Sequence, residues 1–253
     1  MLPSKNLKLF LRFLLEFGYS ITPIDDFGLM YKVQKGSFLK FICSTDFNSC
    51  ECSKLLKDKA LTYRALDRLG IGIPQGTSFV VGKARNLDSI ENVISYLTTA
   101  SYPLVVKPND SLLGRGITIL GKYDEAQARK AVLKAKKHSR LLLVQEYLAG
   151  QEFRIIAIEG EILIGVKKFE RPKPPKEISV LDCAGFLDIV TISMKSLGAL
   201  VCGYDIIVDN NYIKVLEINS NPTVCPIEEY LSRETLERYF SRLEHLLRRN
   251  YGH

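Results

Sequence analysis

Apolar residues recur at helical spacing from Leu7 to Phe17. Lys8, Arg12 and Glu16 recur every four residues within that run and form a polar stripe, so an amphipathic helix is predicted, ended by Gly18. Strand-like pieces follow at 19–23, 28–33 and 38–43, with Lys35-Gly36 as a turn between the last two. Leu55, Ala60, Leu61, Ala65, Leu66 and Leu69 share one face of a single predicted helix over 54–69. Gly70 and Pro74 stop it. Further along, strands are expected at 77–81, 104–108, 117–120, 141–147, 155–158 and 161–169. Helices are expected from a cap at Asp88 or Ser89 to Leu97, over 124–138 and over 186–197. Leu236, Phe240, Leu243 and Leu247 mark a last helix, which the pattern sets against a sheet.

The chain is organised around two β-branched runs, 203–208 and 212–218, on either side of Asp209-Asn210-Asn211. They read as a β-hairpin. Asp205 lies near the start of its first strand, and Glu217 and Asn219 near the end of its second. A spacing of two puts Glu217 and Asn219 on one face, and pairing brings Asp205 opposite them. Two carboxylates and an amide oxygen are hard donors suited to Mg²⁺. The plainer alternative is the polar end of an exposed strand. Upstream, Lys107 ends a buried strand at the base of the loop 109–116, whose backbone N–H groups could surround phosphate oxygens. No Gly-Lys-Ser/Thr follows, so it is not a Walker A loop, and a plain hairpin turn accounts for it equally well. The Pro-rich segment 170–177 excludes a helix or a central strand. It is either a loop over a cleft or a surface connector.

Composition narrows the class. At 253 residues, 46% hydrophobic and 25% charged, the chain suits an ordinary globular protein of one large domain or two that share a cleft. Its net charge of +7 favours an anionic partner. The basic residues are spread without interleaved aromatics, which argues against nucleic acid. The N-terminal apolar run is too short and too charged to span a bilayer or to serve as a signal-peptide core, so no membrane partner is expected and a cytoplasmic location is. The six cysteines, Cys43, Cys50, Cys52, Cys183, Cys202 and Cys225, fit no zinc template and read mostly as buried small hydrophobes.

With these pieces in order, the chain resembles the ATP-grasp superfamily over residues 54–226. The matching stretches are Asp58-Lys59-Ala60-Leu61-Thr62 followed by Gly70-Ile71-Gly72-Ile73-Pro74, Val105-Val106-Lys107-Pro108 with the loop to Gly116, and Gln145-Glu146-Tyr147-Leu148-Ala149-Gly150-Gln151-Glu152-Phe153-Arg154. Gly203-Tyr204-Asp205 and Glu217-Ile218-Asn219-Ser220-Asn221-Pro222 complete the set. Each is weak singly, and five in the right order are strong. Within the superfamily the chain is similar to the grasp domains of cyanophycin synthetases and fused bacterial glutathione synthetases, and to glutamate ligases that extend peptide tails.

The resemblance implies an α+β, ATP-grasp fold: two α+β subdomains gripping ATP between two antiparallel sheets. It divides the chain into a shortened N-terminal subdomain (1–53), a lid (54–145) and a large C-terminal subdomain with the metal site (146–253). It implies that Lys59, Lys107, Ser111, Gly114 and Gly116 contact ATP phosphates, that Glu146 and Leu148 offer backbone groups to the adenine, and that Glu152 takes the ribose. Asp205, Glu217 and Asn219 would hold Mg²⁺, or Mn²⁺ in its place. Arg154, with Lys167 or Lys168, would neutralise the transferred phosphoryl group or a substrate carboxylate.

The implied activity is an ADP-forming carboxylate–amine ligase acting through an acyl phosphate on an amino acid or peptide, with the basic charge favouring an acidic one. Phosphoryl transfer needs positioning and charge neutralisation rather than a protein nucleophile, so the lack of a Ser-His or Cys-His signature does not count against it. The alternative is an ATP-binding regulatory or partner-subunit module without independent ligase activity. The short N-terminal subdomain leaves room for a second copy of the chain, or a partner protein, to complete the substrate pocket.

Overall fold

The computed structural model describes residues 4–82, 87–110, 114–169 and 173–249. In chain order its elements are α1 (Lys5–Glu16), β1 (Ser20–Pro23), β2 (Tyr31–Lys35), β3 (Phe38–Ile42), α2 (Cys50–Lys57), α3 (Lys59–Arg68) and β4 (Gly76–Val80). Next come α4 (Ile90–Thr99), β5 (Leu104–Pro108), β6 (Thr118–Leu120), α5 (Glu125–Lys136), β7 (Leu141–Glu146), β8 (Gln151–Ile158) and β9 (Glu161–Lys167). The chain continues through β10 (Lys176–Ile178), α6 (Leu187–Leu197), β11 (Val201–Asp209), β12 (Tyr212–Asn219) and α7 (Arg233–Arg249). It is an α+β architecture with three sheets. It separates into two compact units: Met1–Ser53, Gln151–Ile206 and Asn219–His253 in the first, Lys54–Gly150 and Ile207–Ile218 in the second.

In the first unit, Ser4 caps α1 by accepting the Leu7 N–H. Leu7, Phe10, Phe13 and Leu14 are fully buried, whereas Lys8, Arg12 and Glu16 are exposed, as the polar stripe predicts. The buried face meets α7, where the Phe13 and Phe240 rings stack with centroids 4.3 Å apart. Ile156, Ile158, Leu163, Ile164 and Val166 of β8 and β9 complete this core. β1, β2 and β3 form an antiparallel sheet in that order. β2 starts later than the sequence pattern suggests, because the Asp25 carboxylate accepts the N–H groups of Phe27, Leu29 and Met30 and winds that stretch into a turn. The larger sheet has the order β10-β9-β8-β11-β12. Glu170, Arg171 and Pro172 of the Pro-rich segment lie outside the described residues. Its last residues, Lys176 and Glu177, begin edge strand β10 against β9, the place in a sheet that a Pro-rich stretch can feed.

The second unit is built on a four-stranded antiparallel sheet, β4-β7-β5-β6. α4 and α5 cover one face, burying Val93, Leu97, Ala128 and Val132 against Val106, Leu142 and Val144. Strand alternation turns Lys107 and Gln145 to the other face, where Ala60 and Tyr63 of α3 pack on Leu143. The single helix predicted over 54–69 is two. Asp58 takes an extended backbone (φ −96°, ψ 102°) and accepts the Leu61 N–H, so it ends α2 and caps α3. Likewise, the helix predicted from Phe186 begins at Leu187, after a 3-10 turn over Leu181–Phe186. Cys52, Cys183 and Cys202 are buried, but Cys43 and Cys50 are exposed, which corrects the expectation for those two. No described helix is long and apolar enough to cross a membrane.

Candidate functional site

The second unit buries a pair of cations. Lys59 opens α3 directly after its cap, and Lys107 lies near the end of β5. They are only 8% and 7% exposed, so each charge needs partners. Lys59 Nζ lies 3.2 Å from a Glu217 carboxylate oxygen. Lys107 Nζ donates to Tyr63 Oη at 2.9 Å and stands 5.3 Å from the Tyr63 ring centroid. Tyr63 Oη in turn donates to the Leu216 carbonyl at 2.6 Å, which ties α3 to the strand that carries Glu217. Burial, and next the charge of Lys59, bring the Lys107 ammonium down to a pKa of about 8, against the opposing pull of Glu217. Two buried cations close together are a setting that suits a polyanion.

On the same sheet face, Gln145 is buried and its Oε1 has no hydrogen-bond partner among the described residues. It lines a cavity of about 250 Å³ with Ala60, Tyr63, Ile73, Pro74 and Leu143. A buried acceptor left without a partner costs about 1–3 kcal/mol, which an N–H donor from a ligand would recover. Glu146 is anchored at both ends. Its N–H donates to the Gln75 carbonyl (2.8 Å), and its carboxylate accepts the Gln75 N–H (2.7 Å) and the Lys214 ammonium. Leu148 is half-buried between β7 and β8. Gly114 and Gly116 take left-handed backbone, with φ of 70° and 80°, which a side chain would strain. Ser111 lies outside the described residues.

In the first unit Asp205 sits between two cations. Arg154 Nη1 is 2.9 Å from one carboxylate oxygen and Lys168 Nζ is 2.5 Å from the other. Lys168 also lies 3.7 Å from Glu152, which is exposed. Burial works to raise the Asp205 carboxyl, but Arg154 and then Lys168 outweigh it and hold the group below its ordinary range. Gly203 permits this packing. A Cβ there would fall 2.6 Å from Pro222 Cβ and 3.1 Å from Arg154 Nη2. Lys167 does not join the Asp205 group; its ammonium stands over the Phe169 ring at 5.5 Å. Asn219 closes β12, half-buried.

The structure thus groups Lys59, Lys107 and Glu217 in one unit, and Asp205, Arg154, Lys168 and Glu152 in the other. Among the described residues, no three His, Cys, Asp or Glu side chains cluster so as to hold a metal by themselves. Asp205 and Asn219 in the first unit, and Glu217 in the second, each carry hard oxygen donors of the kind that suit a divalent cation. Each carboxylate attracts cationic groups in its own unit. Tyr63 and Gln145 escape sequence reasoning. Tyr63 looks like one more apolar-face residue of a helix. Gln145 did carry a signal, as the lone uncharged polar residue ending the run Leu141–Val144.

Residues 56–173 match the model of the RimK-like ATP-grasp domain. The segment 56–173 is similar to ATP-grasp domains. Among curated proteins, the chain is 31% identical over 153 residues to the cyanophycin synthetase of Trichormus variabilis, covering 60% of the chain and 14% of that protein. It is 28% identical over 186 residues to a probable alpha-L-glutamate ligase 2 of Pseudoalteromonas atlantica, covering 68% of the chain and 58% of that protein. The chain therefore spans less than two thirds of the length of either relative. Among solved structures, a bifunctional glutathione synthetase from Pasteurella multocida shares the fold, with a TM-score of 0.55 and 17% identity over 87% of this chain and 40% of that one.

Proposed function

We propose that this chain is an ATP-dependent, ADP-forming carboxylate–amine ligase whose substrates are an amino acid or peptide. The observation that carries the reading is the buried Lys59–Lys107 pair with Glu217 beside it. A protein that buries two lysines against one carboxylate is arranged for phosphates. Lys59 and Lys107 hold the phosphates, and the glycine turn at Gly114 and Gly116 adds backbone donors. Gln145 Oε1 accepts from the adenine amino group. The Glu146 N–H is already given to Gln75, so its carbonyl, with the N–H of Leu148, meets the base edge. Glu152 takes the ribose hydroxyls.

Asp205, Glu217 and Asn219 fit Mg²⁺, or Mn²⁺, by their hard oxygens. The bound ion supplies charge neutralisation across the phosphates. Arg154, with Lys168, would neutralise the transferred phosphoryl group or a substrate carboxylate; Lys167, whose ammonium stands over the Phe169 ring, is the lesser candidate for that role. In the reaction, a substrate carboxylate attacks the γ-phosphorus of ATP, giving an acyl phosphate and ADP. An amine then displaces phosphate to form the amide. Exclusion of water protects the acyl phosphate. The name of the glutamate-ligase relative, together with the net charge of +7, favours an acidic amino acid or peptide. A second copy or a partner protein completes the substrate pocket in this reading.

The test is ADP release from Mg·ATP with pools of amino acids and short peptides, scored by mass spectrometry for new amides. ADP with a matching amide establishes the ligase and names its substrates. Tight Mg·ATP binding without turnover in any pool would replace it with a regulatory or partner-subunit module. Glu217→Ala is expected to abolish metal-dependent ADP formation in a protein that stays folded.

A further inference from the structure

Residues 220–224 follow the proposed ligand Asn219 directly, and side chains from the first 53 residues hold almost every position of that stretch. The Asn48 amide makes four hydrogen bonds to backbone. Its Nδ2 donates to the carbonyls of Val201 (2.8 Å) and Ser220 (2.7 Å), and its Oδ1 accepts the N–H groups of Leu200 (2.7 Å) and Val201 (3.1 Å). One side chain thereby ties the entry of β11 to the residue after the exit of β12. Asp46 accepts the hydroxyls of Ser220 (3.2 Å) and Ser53 (3.0 Å). Thr45 Oγ1 donates to the Asn221 side-chain oxygen at 2.8 Å. From α1, Asn6 Nδ2 donates to the Pro222 carbonyl (2.6 Å) while its Oδ1 accepts the Val224 N–H (2.9 Å).

Asn6, Thr45, Ser53 and Ser220 are each 8% exposed or less. Their polar atoms are spent on these bonds, and an amide making four hydrogen bonds has little capacity left for a substrate. A polar network of this density in a core is costly unless complete, and when complete it fixes a single geometry. The segment it fixes would otherwise be an ordinary mobile connection.

We propose that Asn48, Asp46 and Thr45 are positioning residues that set the Asn219 end of the metal site, so that the N-terminal subdomain braces this loop instead of binding substrate. The proposal rests on the reading of Asn219 as a ligand. Partners one step removed from a metal commonly govern affinity by about 10- to 100-fold.

The test is Mn²⁺ binding, read from the free-ion electron paramagnetic resonance signal in the presence of a saturating non-hydrolysable ATP analogue, alongside thermal unfolding of each variant. Asn48→Ala is expected to weaken Mn²⁺ binding by about tenfold. Thr45→Val, which keeps the shape and removes one hydroxyl, weakens it less in the same direction, and Thr45→Ser restores it. Thr45→Val decides the matter if Asn48→Ala does not fold. Wild-type Mn²⁺ affinity in both folded variants, with only a lowered melting temperature, would overturn the proposal and leave the network a purely structural one. Asn219→Ala is the control. If it binds Mn²⁺ as the wild type does, the ligand assignment fails, and the positioning role with it.

Discussion

In the first unit Asp205 is held by two cations at 2.9 and 2.5 Å, and in the second two buried lysines share Glu217, with Lys59 at 3.2 Å. The first arrangement is satisfied within itself, and its carboxylate is stabilised in the charged form. In the second, burial drives Lys107 toward its neutral form. Removing a member of the first therefore strands charge, whereas removing a lysine from the second relieves it. The lesson is that buried ion pairs differ in which effect prevails: charge pairing holds Asp205 ionised, whereas burial prevails at Lys107.

Lys107→Met separates the two most sharply. It is expected to lose about 2–3 kcal/mol of nucleotide binding, or about 100-fold, from one charge-assisted contact, while folding is unchanged or slightly stronger. Calorimetric titration with an ATP analogue and urea unfolding read the two effects separately. A parallel loss of stability would erase the contrast.

Asp205→Asn should do the reverse to stability. It leaves Arg154 and Lys168 facing an uncharged amide and is expected to destabilise by about 2 kcal/mol, less than for a fully enclosed pair because both side chains keep some solvent. The same group gives an acid signature. Its folded pKa is lowered, so its contribution is present above the unfolded value of about 3.9 and disappears as pH falls through the folded one. Urea titrations of wild type and variant should converge in that acid range.

A pH measurement tests the second unit. Lys107 titrates near 8 when folded and near about 10.4 when unfolded, so its burial cost is present in full below about pH 8 and lifts as pH rises between those values. If phosphates bind the charged form, nucleotide binding takes up a proton just above pH 8, and affinity falls by up to about tenfold per pH unit there. Titrations in buffers of different ionisation enthalpy count that proton, and Lys107→Met should abolish the uptake. The smallest effect belongs to neither charge group. Asp58→Ala removes the cap that starts α3 at Lys59 and is expected to cost about 1 kcal/mol in urea unfolding.

The motifs that place Lys59, Lys107, Asp205 and Glu217 are local, each a few residues beside a strand or helix end, and those the sequence displayed in order. The amphipathic faces of α1 and α7 were equally legible, because a stripe of charge on an apolar run has one structural solution. The break at Asp58 was less so. No glycine or proline marks it, and an aspartate inside a helical pattern becomes a cap only if the chain bends there. What could not be read were contacts closed over long separations. Tyr63 reaching the Leu216 carbonyl, or Asn48 spanning Val201 and Ser220, uses side chains whose local surroundings are unremarkable. Only the folded backbone brings their partners near.

The hairpin of β11 and β12 leaves the first unit after Ile206, contributes Ile207–Ile218 to the second, and returns at Asn219. For protein engineering this means that the second unit cannot be cut out as one contiguous fragment: a piece ending at Gly150 lacks the strand that carries Glu217. Splitting the gene at that point should yield two halves that neither fold nor bind nucleotide alone but complement each other when co-expressed. Grafting the unit onto another scaffold would require carrying residues 207–218 along as a separate insert.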